Sequence, residues 1–181
     1  SLAAAWRGWP VEIDGQVFGT WDNSVEYHGL AFAASVPAAG SWHTDEYRLG
    51  FSAGRLGADQ RTFAFASATT NSDATTDDHI LGLGGALHAA AGRTDGASWT
   101  RVLGDVSAHL GNRDVAALGT FAAGIVNRTA PAYEQFVLGG VEAPLTDPAL
   151  LTQRIADPAL PLGIAEGRYL LHYRFATRVV I

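Results

Sequence analysis

The stretch Gly167–Val180 (GRYLLHYRFATRVV) alternates almost without a break. One parity reads Gly167, Tyr169, Leu171, Tyr173, Phe175, Thr177, Val179, and the other reads Arg168, Leu170, His172, Arg174, Ala176, Arg178, Val180. Strand side chains point alternately to opposite faces, so this pattern specifies a strand with one aromatic, apolar face and one basic face. Soluble strands usually run about 5–6 residues. This one is long enough for a tilted strand to cross a bilayer, which takes roughly 9–11.

Other segments repeat the pattern. Pro10–Trp21 sets Val11, Ile13, Gly15 and Val17 against Glu12, Asp14 and Gln16. Val25–Val36 sets Val25, Tyr27, Gly29, Ala31 and Ala33 against a mixed parity of Glu26, His28, Leu30 and Phe32, and Pro37–Ser41 breaks the chain. Glu46–Leu56 sets Tyr47, Leu49, Phe51 and Ala53 against Glu46, Arg48, Gly50 and Ser52. Arg61–Thr70 follows a short hairpin loop at Gly57–Gln60, and Asn71–Asp78 reads as a polar exposed loop. Ile80–Ala91 is small and apolar. Trp99–Leu110 sets Val102, Gly104, Val106, Ala108 and Leu110 against Arg101, Asp105, Ser107 and His109, before Val115–Val126. No helical period separates these segments. The expected fold is all-β: an antiparallel up-and-down meander closing as a transmembrane β-barrel, or an incomplete part of a larger one. It occupies residues 1–181 as a single unit.

Composition agrees with a chain that meets little water. Hydrophobic residues make up 48% and charged residues only 17%, against about 25% charged in ordinary soluble domains. All twelve basic residues are Arg. Cys is absent, which excludes a disulfide frame and thiolate metal ligation. Met is absent too, so Ser1 is expected to begin a processed product or a piece of a longer protein. No apolar run is long enough for a transmembrane helix, which leaves a strand-built membrane protein open. The net charge of −6 speaks against a nucleic-acid binder.

Candidate chemistry is sparse. The six His residues (28, 43, 79, 88, 109 and 172) lack metal-ligand spacing, and His109 and His172 are expected to line a polar interior. Asp77-Asp78-His79 places carboxylates beside an imidazole, but strand neighbours face opposite sides, so the reading is a polar loop mouth. Asn127-Arg128-Thr129 fits the glycosylation pattern incidentally. No catalytic set, metal site or cofactor is expected. Trp9, Trp21, Trp42 and Trp99 fall near strand ends, where an aromatic girdle would lie.

Pro131–Leu162 breaks the rhythm. Glu134–Leu138 reads as a short strand running into Gly139-Gly140. Asp147-Pro148 reads as a helix start, giving a long inserted loop over 141–163 with a short helix over Pro148–Ile155. The phrase Glu134-Gln135-Phe136-Val137-Leu138-Gly139-Gly140, then the loop, then Gly167, Tyr169, Leu170, Tyr173 and Arg174 resembles the bacterial surface-antigen barrel superfamily, which contains outer-membrane insertases and two-partner-secretion translocases. Trp6–Pro10 is similar to an opening strand of such barrels.

The resemblance implies a bacterial outer-membrane location and a loop folding back into the lumen after Gly139 and Gly140. Where the family carries an Arg-Gly-aromatic tip, this chain has Pro144-Leu145-Thr146. Arg154 is the only Arg of the loop and the candidate to anchor it. A family barrel continues for several strands after the loop, so other segments or subunits would complete this one. The expected function is a non-enzymatic pore, translocation scaffold or membrane anchor. Tyr169, Leu171, Tyr173 and Phe175 would face lipid, and Arg168, His172 and Arg174 would face the lumen. A soluble secreted all-β binding module and an outer-membrane barrel hydrolase are the alternatives.

Overall fold

A computed structural model describes residues 2–8, 11–22, 25–39, 43–75, 79–112, 114–139, 154–155 and 165–179. The strands are β1 (Leu2–Gly8), β2 (Val11–Asp22), β3 (Val25–Ala39), β4 (His43–Leu56), β5 (Asp59–Thr75), β6 (Ile80–Thr94), β7 (Ala97–Gly111), β8 (Val115–Val126), β9 (Phe136–Leu138), β10 (Arg154–Ile155), β11 (Ala165–Gly167) and β12 (Tyr169–Val179). Nine of them form one antiparallel sheet in the order β1-β2-β3-β4-β5-β6-β7-β8-β12. This is the all-β, up-and-down meander that the alternation specifies. The sheet is not closed: among the described residues β1 pairs only with β2, and β12 only with β8. A smaller sheet has the order β10-β9-β11, with β10 parallel and β11 antiparallel to β9.

Register sorts the side chains of the large sheet onto two faces. On the outer face stand Ile13, Val17, Leu30, Phe32, Leu49, Phe51, Leu83, Leu87, Val106, Phe121 and Ile125, all exposed. On β12 the same face carries Tyr169, Leu171, Tyr173 and Phe175, at 71%, 73%, 80% and 70% exposure. The inner face holds the buried residues, including Ala31, Ala33, Phe63, Phe65, Ala90, Trp99, Leu103, Ala122 and Val126. The usual order of a water-soluble sheet is thus inverted: large apolar side chains face outward, and the inner face mixes small, polar and aromatic ones.

Several expectations need correction. On β3 the outward parity is His28, Leu30, Phe32 and Val36, so Ala31 and Ala33 face inward. Many small residues on both parities obscured the choice. The strand also runs through Pro37 to Ala39. Its described ladder with β2 reaches Glu12↔Ser35, so among the described residues Pro37 has β4 alone beside it, an edge-like place where its missing N–H is tolerated.

Asn71–Thr75 is strand rather than loop, paired with Ile80–Gly84. Polar residues simply continue the ladder past the apolar stretch.

The strand expected over Gly167–Val180 is divided. Gly167 pairs with Phe136 in the small sheet, Arg168 forms a bend, and β12 begins at Tyr169. Arg168 is exposed at that bend, just ahead of the β12 ladder. Its carbonyl accepts from Val126 N–H at 2.9 Å.

Of the helix expected over Pro148–Ile155, only Arg154 and Ile155 are described, and both are strand, pairing with Val137 and Leu138. Gly140 and most of the inserted loop lie outside the described residues.

Candidate functional site

Two hairpin turns place the site. Gly57 (φ 61°) turns β4 into β5, and Asp95-Gly96 (φ 47° and 79°) turns β6 into β7. Two consecutive residues at positive φ suit the twist of a two-residue hairpin, and Asp-Gly is the sequence that tolerates them. These turns set Arg61 opposite Thr94, and Gly92 between Phe63 and Trp99, on the inner face. With no side chain on Gly92, the rings of Phe63 and Trp99 meet above it, centroids 5.6 Å apart.

After β8 the chain turns inward. Asn127 N–H donates to Thr100 O at 3.0 Å, while its Oδ1 accepts from Thr100 N–H at 3.1 Å. Its Nδ2 donates to Thr129 Oγ1, which donates in turn to Ser98 O. A single 3-10 turn, Ala132–Glu134, then carries Glu134 over the inner face. Phe136 follows and is 2% exposed. Its ring lies on Gly124, so closely that a methyl group there would occupy the ring's place.

Glu134 is fully buried and held by three side chains. Arg61 Nε and Nη2 donate to Oε1 and Oε2 at 2.5 and 2.8 Å, a bidentate fork. Thr94 Oγ1 donates to Oε1 at 2.8 Å, and Arg101 Nη1 reaches Oε2 at 3.3 Å and the Glu134 carbonyl at 3.2 Å. Trp99 Nε1 donates to Thr94 Oγ1 at 2.9 Å, which leaves the hydroxyl proton for the carboxylate.

The aromatic rings form the floor. Arg61 lies 4.3 Å from the Phe63 ring centre, and Arg101 lies 5.0 Å from that of Trp99, both within cation–π range. At the rim, Tyr133 donates its hydroxyl to Asp59 at 2.7 Å. Burial, together with that bond to a carboxylate, pushes the Tyr133 phenol above its ordinary value.

The sequence pattern gave the members of this cluster no joint role. The cluster's signal was present as three oddities: Arg61 beside Phe63, Arg101 beside Trp99, and Glu134 just ahead of an apolar strand. None follows a known ligand spacing, and the partners are separated by 73 and 33 positions. Trp99, expected in an outer girdle, is 1% exposed on the inner face, drawn there by Arg61, Arg101 and Thr94. Trp9 and Trp42 lie outside the described residues.

The other candidates are dispersed. His172 and Arg174 share the half-buried inner parity of β12, opposite Ala122 and Thr120. Gly139 is buried at φ 107°, where glycine is required to turn the chain out of β9. Arg154 pairs through its backbone with Val137. His79 is exposed at the start of β6, and Asp77 and Asp78 lie outside the described residues. Ser67 faces His88 across the β5–β6 ladder, and His88 Nε2 stands 4.0 Å from Asp105. The buried His88 Nδ1 has no hydrogen-bond partner, so no serine–imidazole bond forms there. Among the described residues no three His, Asp or Glu side chains converge as a metal site.

Comparison with known protein families, curated proteins and solved structures finds no match to this chain.

Proposed function

We propose that this chain forms part of the wall of an outer-membrane β-barrel and serves as a pore, translocation scaffold or membrane anchor rather than as an enzyme. The observation that carries the reading is the outer face. Among the side chains that the structure describes on these strands, every large exposed apolar one, Leu118 apart, stands on that one face. Soluble monomers rarely expose a contiguous apolar patch above a few hundred Å². A membrane barrel requires such a face, in strands that alternate with inward polar residues. The resemblance of Glu134–Gly140 and Gly167–Arg174 to the surface-antigen superfamily supports the same location.

The open edges bear on the partners. β1 and β12 run in the same direction, since antiparallel steps separate them across nine strands. Pairing them directly would make a parallel seam. Antiparallel closure takes an odd number of further strands, giving the even total usual in bacterial barrels. Unpaired strand edges are not tolerated in hydrocarbon. Lipid and other segments or subunits that complete the wall are therefore the partners of this reading.

The test is folding from urea into phospholipid vesicles. The protein is expected to float with the vesicles and to migrate faster on gels when unboiled. A protein that folds fully in buffer and stays behind when vesicles float contradicts the reading.

A further inference from the structure

We propose that Arg61, Thr94 and Arg101 form a carboxylate-binding site built into the inner face, that Glu134 fills this site from within the same chain, and that residues 131–139 are a strap latched by that occupancy. The strap stands apart from the nine-stranded ladder. β9 pairs with β10 and β11, and the 3-10 turn bonds within itself, Glu134 N–H to Pro131 O at 3.0 Å. The strap reaches the wall through side chains: Tyr133 to Asp59, Glu134 to the arginines and Thr94, and Phe136 onto Gly124.

The receptor half belongs to the wall. Arg61 on β5 stands opposite Thr94 on β6, and Arg101 on β7 stands on the same face opposite Ala90. Phe63 and Trp99 support the guanidinium planes, and the Trp99 indole fixes the Thr94 hydroxyl so that its proton points away from the ring. Among the described residues, the groups that meet the Glu134 carboxylate are all donors, and one is an arginine fork matched to a planar two-oxygen anion. When the strap lifts, the same donors take a small free carboxylate in place of Glu134. The inference deepens the wall reading, because the strap would then cover part of the interior, but the latch itself can be measured without a membrane.

The experiment follows amide exchange in the full chain folded in detergent micelles. In the parent protein, the amides of residues 132–138 are expected to exchange slowly. In Glu134→Ala they are expected to exchange at least about tenfold faster, while the β5–β7 ladder keeps its rates. Excess sodium acetate, which replaces the missing CH2COO⁻, is expected to slow the strap again, and equal sodium chloride is not. Unchanged strap exchange in Glu134→Ala, or equal rescue by chloride, overturns the proposal. Should Glu134→Ala fail to fold, Thr94→Val keeps both arginines and removes one donor. Faster exchange confined to 132–138 then supports the latch, and parental rates overturn it. Failure to insert into vesicles would sink the wall reading alone.

Discussion

Glu134 ties three strands to one turn through a single buried carboxylate. A buried ion pair contributes little beyond a well-packed apolar substitute, but breaking it from one side leaves desolvated charge behind. Glu134→Gln is therefore expected to cost about 3–5 kcal/mol, read as a fall in the urea midpoint in micelles. Tyr133 carries a pH signature. Its phenol keeps its proton in the folded state above the ordinary value near 10. The folded chain then binds more protons than the unfolded chain in alkali, so stability falls as pH rises from about 10. Tyr133→Phe is expected to flatten that alkaline loss in pH-resolved urea unfolding. An unchanged slope would show that another group is responsible.

Strands are where periodicity speaks most clearly, and only where the two parities differ. β4, β7 and β12 were legible because Leu49 and Phe51, Val102 and Val106, and Leu171 and Tyr173 stand against charged or polar neighbours. β3 was not, because Ala31 and Ala33 match Leu30 and Phe32 in polarity and the choice of face rests on cross-strand register. On β5 the aromatics Phe63 and Phe65 turn inward, at 4% and 5% exposure, while Ala64 and Ala66 face out. Aromatic content alone would have pointed the other way. The Glu134 cluster was illegible for a different reason: its partners meet only after four strands and an inward turn have been placed.

The strand assignment makes its own prediction on β7. Val106→Arg, on the outer face near mid-strand, is expected to cost about 2–4 kcal/mol in vesicles. Ser107→Arg, one residue on and facing inward, is expected to cost far less. Equal losses in a urea titration would remove the distinction between the faces.

Across the whole molecule, the wall proposal sets the exposed apolar face of the nine-stranded sheet against lipid. Because the chain has no cysteine, single cysteines at 171, 172, 173 and 174 can be placed one at a time and labelled with a water-soluble thiol reagent in vesicles. Geometry makes the outcome sharp. Leu171 and Tyr173 are 73% and 80% exposed, while His172 and Arg174 are half-buried. In a water-facing sheet, positions 171 and 173 would therefore react fastest. With the outer face in lipid the order reverses: 172 and 174 label from the aqueous interior, while 171 and 173 stay protected until detergent is added. Labelling at 171 and 173 as fast as at 172 and 174 in intact vesicles would contradict the account.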